Sequence, residues 1–441
     1  MADITLSYKG STIAEINDSA DKVLNTQGKY LEDNIRLVYI KPSVPSSAPV
    51  SDVNFMDYDG TVLYSYTSDS ALALEELPAN PSHQGLIAQG WNYTLSQMKS
   101  MVSECGKCEV GQSYITNDDS TKLYCHFEND RRWPYLGLAV DGTISISWGD
   151  GSSNTTVTGN SLSTIKHTWH EYASGGDYVI SISRVSGTGF SILGETSQYS
   201  SCILSVGSEA NASNDLVYLS ALKKVYLGKY VTLGAYAFAC CAGLYEVTIP
   251  KEITSIGDRA FYDCYALKSI ICPSTLTSIG SYCVGECSSI RRFSLNAGLL
   301  TINAGCFSNC NSVEYVVIPS TVTTLAMALF YRCAALQRVD LLNGLSSIDM
   351  SVFYTCSSVV SFIVPSSVTS IGANAFAYCY GLSKIHFLSS TPPDLASDNI
   401  FSNTNSVTIY VPYSSDHSVL NSYKTATNWS VYANRIMEEP Q

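Results

Sequence analysis

One spacing constrains this chain more than any other feature. Cys241, Cys264, Cys287, Cys310, Cys333, Cys356 and Cys379 follow one another at a constant interval of 23 residues. A fixed period of this size marks a solenoid, in which a single repeat cannot bury its apolar side alone and stacking builds one continuous core. The units are Leu222–Gly243, slightly short, then Leu244–Ala266, Leu267–Ser289, Ile290–Ser312, Val313–Ala335, Leu336–Ser358 and Val359–Gly381. Positions one, four and six of each are apolar, as in Leu244, Val247 and Ile249. That alternation predicts a short strand with one face turned inward. Pro250, Pro273, Pro319 and Pro365 end it, because proline cannot donate to a ladder. Gly257, Gly280 and Gly372 read as the site of a sharp bend. Phe261, Phe307, Phe330, Phe353 and Phe376 plug the interior, with the thiols stacked behind them. Val284 in place of the phenylalanine, and Asn303, Ala326 and Asp349 in place of the glycine, predict local irregularity.

The L-x-x-I-x-I-P opening, the I-G and A-F pairs and the closing cysteine resemble the BspA-like branch of the leucine-rich-repeat family. The asparagine usual after the strand of leucine-rich repeats is missing, which selects this branch. The resemblance implies a strand plus a short helical turn in each 23-residue coil over residues 222–387. Caps are expected at residues 196–221 and 388–441, since a bare terminal coil would expose the core. The second cap should hold a strand at Val407–Val411 and a helix from His417 to Ile436.

Upstream, the chain divides into smaller pieces, so the expected architecture is multidomain and mainly β. Residues 3–40 alternate in strand-like runs, ITLSYKG, TIAEI and NIRLVYI, and resemble the N-terminal modules of phage tail-associated proteins. That likeness implies virion attachment; a plain β-module is the alternative. Residues 41–50, KPSVPSSAPV, form an extended linker. In residues 51–120, two strands flank an Asp59-Gly60 hairpin turn and a helix follows the N-cap Thr94. Tyr58–Thr61 and Gly90–Asn92 give this piece its likeness to the β-grasp repeats of internalin-type and mucin-binding surface proteins. In residues 121–195, Trp148-Gly-Asp-Gly151, His170-x-Tyr172 and Gly176-Asp-Tyr178 resemble the PKD-like branch of immunoglobulin-type folds. The likeness implies a separate β-sandwich with Trp148 in its core.

Composition narrows the function. The formal net charge is −13 and only 14% of residues are charged, so nucleic acid is excluded as a partner. No run approaches the ~20 apolar residues of a membrane span. The opening MADITLSYKG has no basic n-region and no apolar h-region. The fifteen cysteines read as buried reduced thiols rather than disulfides, because equivalent side chains on stacked coils point in parallel. Cys105, Cys108, Cys125 and His126 are the one metal-like cluster, but adjacent residues on a strand point to opposite faces, so no metal site is expected. No catalytic motif is present and no cofactor is expected.

What remains is a surface. Strand positions three and five point away from the solenoid core and form two files. The first is Lys224, Glu246, Ser269, Arg292, Tyr315, Arg338, Ser361 and Lys384; the second is Tyr226, Thr248, Ile271, Ser294, Val317, Asp340, Ile363 and His386. Ile271, Val317 and Ile363 are apolar where solvent is expected, which suggests contact, although β-propensity also favours them there. Tyr226, Tyr315, Arg292 and Arg338 are residue types that anchor interfaces. These observations lead to a non-enzymatic recognition protein. The first expectation is a phage or prophage tail protein that binds a bacterial surface glycan or protein and joins other virion subunits through residues 1–40. A bacterial cell-surface adhesin for host matrix or mucin, and a structural virion subunit, are the alternatives.

Overall fold

The computed structural model describes residues 52–194, 220–404 and 407–440, together with the backbone of strands Ile4–Tyr8, Ser11–Ile16, Leu24–Asn25 and Ile203–Val206. The chain divides into two units, Met1–Val50 and Ser51–Gln441. In the first, Ile4–Tyr8, Ser11–Ile16 and Leu24–Asn25 make a three-stranded antiparallel sheet. The run NIRLVYI, the linker 41–50 and most of the expected cap 196–221 lie outside the described residues.

The second unit is mainly β. Its C-terminal half is a solenoid with two files of short parallel strands. The first file runs from Leu222–Tyr226 through Glu246–Thr248, Ser269–Ile271, Arg292–Ser294, Tyr315–Ile318, Arg338–Leu341, Ser361–Val364 and Lys384–Phe387 to Thr408–Val411. Register partners are one period apart, as in Ser269 with Arg292 and Tyr315 with Arg338. The second file runs from Val231–Leu233 to Asp394–Leu395.

The phenylalanines stack as the sequence implies, with ring centroids 5.4 Å apart for Phe307–Phe330 and 5.7 Å for Phe330–Phe353. The stack is interrupted at Val284, where Phe293 reaches in from the strand file and packs on Phe307 at 4.3 Å. All seven periodic cysteines are free and buried. Each thiol after the first donates to the carbonyl of the previous coil's phenylalanine-row residue: Cys264 to Phe238 at 3.1 Å, Cys287 to Phe261 at 3.0 Å, Cys310 to Val284 at 3.1 Å. The same 26-residue offset recurs up to Cys379, which donates to Phe353.

The bend is not where the glycines suggested. Positive φ falls two and six residues after that position, at Arg259 and Asp263, Tyr282 and Glu286, Ala328 and Arg332, Ser351 and Thr355. Their N–H groups point along the stack and bond the next coil, as Arg259 N does to Ser281 O at 2.8 Å and Asp263 N to Gly285 O at 2.8 Å. A left-handed non-glycine residue costs roughly 1–2 kcal/mol, and the inter-coil bond offsets about 1 kcal/mol of it. Gly257 serves close approach instead: a Cβ there would lie 2.3 Å from the Gly234 carbonyl carbon. Asn303 and Asp349, at the equivalent position, make the same backbone bond to the preceding coil as Gly280 and Gly372 do, so those coils stay regular.

Residues 121–195 read as a separate sandwich, but their strands, from Thr121–Phe127 to Gly176–Ile192, prolong the solenoid. Thr121–Phe127 pairs with the first strand of the first file, and Phe190–Ile192 pairs with the first strand of the second file. Leu123, Ile146, Trp148 and Ile192 share one core with the coils. These strands therefore close the N-terminal end of the stack, the role expected of residues 196–221. Trp148 is buried against His170 and the Tyr172 hydroxyl donates to its carbonyl at 2.7 Å. At the other end the expected helix is split into a helix Ser418–Thr425, a 3-10 turn Ser430–Arg435 and a strand Ile436–Glu438 that extends the first file. Tyr423 and Trp429 seal the core there.

A compact module, residues 52–116, completes the unit. Its four strands are ordered Val62–Tyr66, Val53–Met56, Cys108–Thr116, Leu86–Trp91. The Asp59-Gly60 turn joins the first antiparallel pair, with Gly60 at φ 84°. Helix Leu95–Cys105 starts with a full capping box between Thr94 and Gln97 and ends at Gly106 in the left-handed conformation.

Candidate recognition face

The outward files of the solenoid carry the candidate residues, and the module lies on them. Tyr58 meets Tyr226 edge-on at 5.9 Å, and its carbonyl accepts from Ser269 Oγ at 3.0 Å. The Tyr226 hydroxyl bonds the Glu246 carboxylate, which also holds Lys224 at 3.1 Å. Thr248 is buried beside them, its hydroxyl accepting from Leu227 N. Strand Cys108–Thr116 crosses the centre. A Cβ at Gly111 would sit 2.3 Å from Ile271 and 3.1 Å from the Ser294 Cβ, so only glycine permits this approach without displacement.

Polar contacts fix the register. Arg292 pairs with Glu109 at 2.8 Å, and burial pushes the Glu109 carboxyl above its usual range against the opposing pull of that guanidinium. Asn92 donates to the carbonyl of Cys272 at 3.0 Å and to Ser294 Oγ at 2.9 Å, and the Tyr93 hydroxyl donates to the Leu295 carbonyl. Beyond these, Val317 and Leu342 join Val53, Met101 and Val102 in the module's own apolar core. Lys107 lies 5.4 Å from the Tyr315 ring, Tyr315 bonds Asp340 at 2.7 Å, and Arg338 reaches both Asp340 and the Cys105 carbonyl. Burial drives the Tyr315 hydroxyl far above its ordinary pKa. The interface-type residues Tyr226, Arg292, Tyr315 and Arg338 thus hold a part of the same chain.

The remaining four candidates lie past the module. Ser361 and Lys384 are exposed, Ile363 is 57% exposed, and His386 stacks on Tyr410 and pairs with Glu439 at 2.5 Å. Where covered face gives way to open face there is a groove of about 600 Å³. Glu104, Cys105, Arg338 and Asp340 form its polar side, and Leu342, Val360, Ile363 and Leu388 its apolar side.

Cys105, Cys108, Cys125 and His126 do not converge. Cys108 lies in the module core and Cys125 in the solenoid core, while His126 turns to Asp177 at 2.7 Å. Among the described residues, no three His, Cys, Asp or Glu side chains are grouped to hold a metal, and no helix is long and apolar enough to cross a membrane. Sequence reasoning missed Asn92 and Gly111 as contact residues. Their signal was faint: one lies at the end of the G-W-N piece and the other inside a strand of mixed polarity that is buried.

No curated protein matches the chain. Among solved structures, a leucine-rich repeat protein from Bacteroides ovatus is 24% identical over 50% of this chain and 54% of its own, with a TM-score of 0.42. A leucine rich cell surface protein from Faecalibacterium prausnitzii is 31% identical over 40% of this chain and 46% of its own, with a TM-score of 0.35. The pneumococcal vaccine antigen PcpA is 15% identical over 49% of this chain and 80% of its own, with a TM-score of 0.19. The chain thus spans about half the length of the first two. Residues 214–337 and 300–428 match the family described as BspA type leucine rich repeat region. The C-terminal half of the chain therefore carries six copies matching the BspA type leucine-rich repeat, the family its solenoid resembles.

Proposed function

We propose that this protein is a non-enzymatic adhesin of the bacterial cell surface, which contacts host matrix or mucin through the uncovered end of its strand face. Ser361, Ile363, Lys384 and His386 make that contact, together with the groove beside them. The BspA type repeats support the adhesin class. One observation carries the location: the module covers the coils as far as Leu342 and leaves Ile363 57% exposed beyond it. Exposed apolar groups next to a mixed groove are the usual make-up of a contact patch. The family match does not reach residues 3–40, on which the tail-protein expectation rests, so the virion reading is not carried further.

The test is binding of the full chain to immobilised mucin, matrix proteins and a glycan array, beside the variant Ile363→Glu. Loss of binding in a variant with an unchanged melting curve supports the reading. Undiminished binding places the contact elsewhere.

A further inference from the structure

The opposite end of the face offers a second, chemically different site. In a chain of net charge −13, positive side chains gather along the strand-entry edge of the first coils. Lys268, Arg291 and Arg292 line a cleft of about 480 Å³ together with Ser289, and Asp59, Gly60 and Thr61 of the module's hairpin turn complete it. Asp59 is the one acid in this lining, and its carboxylate accepts from Thr61 N at 2.8 Å. Arg292 gives one nitrogen to Glu109. Lys268 is exposed, with its ammonium 5.5 Å from the Tyr245 ring; Lys224 stands 5.5 Å from the same ring.

Cations thus stand on two adjacent coils, Lys268 on one and Arg291 with Arg292 on the next, a step of about 4.8 Å. Lys224 lies two coils before Lys268 and is held by Glu246 of the coil between. A single small anion would need its donors converging on one point. Cations offset by one coil step instead fit a chain molecule that carries its own repeated charges. A nucleic acid duplex needs many phosphates neutralised at once, more than the cations of two coils supply. We propose that this cleft binds an acidic polysaccharide, with Lys268 and Arg291 meeting its carboxylate or sulfate groups. The site is separate from the contact patch around Ile363, so each can fail without the other.

The experiment measures affinity of the full chain for dextran sulfate, polygalacturonate and neutral dextran at low and high salt. Binding to either polyanion but not to neutral dextran, weakened by salt as exposed charge pairs are, is the expected result. The two polyanions separate sulfate from carboxylate as the preferred group. The double variant Lys268→Glu/Arg291→Glu should lose about tenfold or more, the scale of a charge-assisted contact, with unchanged circular dichroism. Ile363→Glu should leave this affinity intact. No binding to either polyanion at low salt, equal binding to neutral dextran, or a double variant within about threefold of the parent, less than one such contact, overturns the proposal.

Discussion

Asn92 and Ser294 are 202 residues apart in sequence, yet the Asn92 amide donates to Ser294 Oγ at 2.9 Å while that hydroxyl donates onward to the Glu109 carbonyl at 2.6 Å. Asn92 Oδ1 closes the circuit by accepting from Gly111 N at 2.8 Å. Both residues are buried, so their polar atoms depend on this network for partners. Asn92→Ala leaves the Cys272 carbonyl and the Ser294 hydroxyl short of a donor and should destabilise the docked module by about 1–3 kcal/mol. Urea denaturation of Asn92→Ala, Ser294→Ala and the double variant checks this; coupling of at least about 0.5 kcal/mol is expected for residues in one network.

Gly111 supplies a steric test of the same interface. Any side chain there runs into Ile271 and Ser294. Gly111→Val should raise protease susceptibility around residues 52–116, at a cost of about 1–3 kcal/mol typical of overpacking. The solenoid core lies on the other side of the strand file and should keep its far-ultraviolet signal.

The thiol row makes a chemical prediction. Burial pushes Cys333 and Cys379 up to about 12, and the thiolate is the reactive form. Native protein treated with an aromatic disulfide reagent should therefore leave the periodic cysteines unmodified, and unfolding should expose all seven. Rapid modification of Cys310 or Cys333 in the folded state would contradict the stack.

Acid stability should depend on Asp150. Burial lifts its carboxyl, but hydrogen bonds from Ser152 and His170 outweigh that and bring it from 3.8 to about 2. A depressed carboxyl contributes stability that is fully present above its unfolded pKa and is lost as pH falls through the folded one. The contribution should therefore fade between about pH 4 and about pH 2. Thermal melts across that window should show a shallower acid decline for Asp150→Asn than for the parent.

The solenoid was legible because its cause is periodic: the spacing of Cys241 to Cys379 dictates stacking whatever else the chain does. The turns were less so. Positive φ at Arg259, Tyr282, Ala328 and Ser351 is imposed by the coil, not by residue type, so no single side chain announces it. The covering of the face was legible only in outline. Ile271 and Val317, apolar at outward positions, were traces of contact, and both are buried under the module. What makes that contact is set by pairings between segments about 200 residues apart, such as Tyr93 with Leu295, and no local pattern encodes them. Ile363 bears the same signature and is uncovered.

Hydroxyl-radical footprinting of the full chain, read by mass spectrometry, reports side-chain exposure along the strand file directly. Ile271, Tyr315 and Val317 should be protected by the module, and Ile363 and Leu388 should be oxidised readily. Equal labelling of Ile271, Val317 and Ile363 would mean that the module does not cover the face.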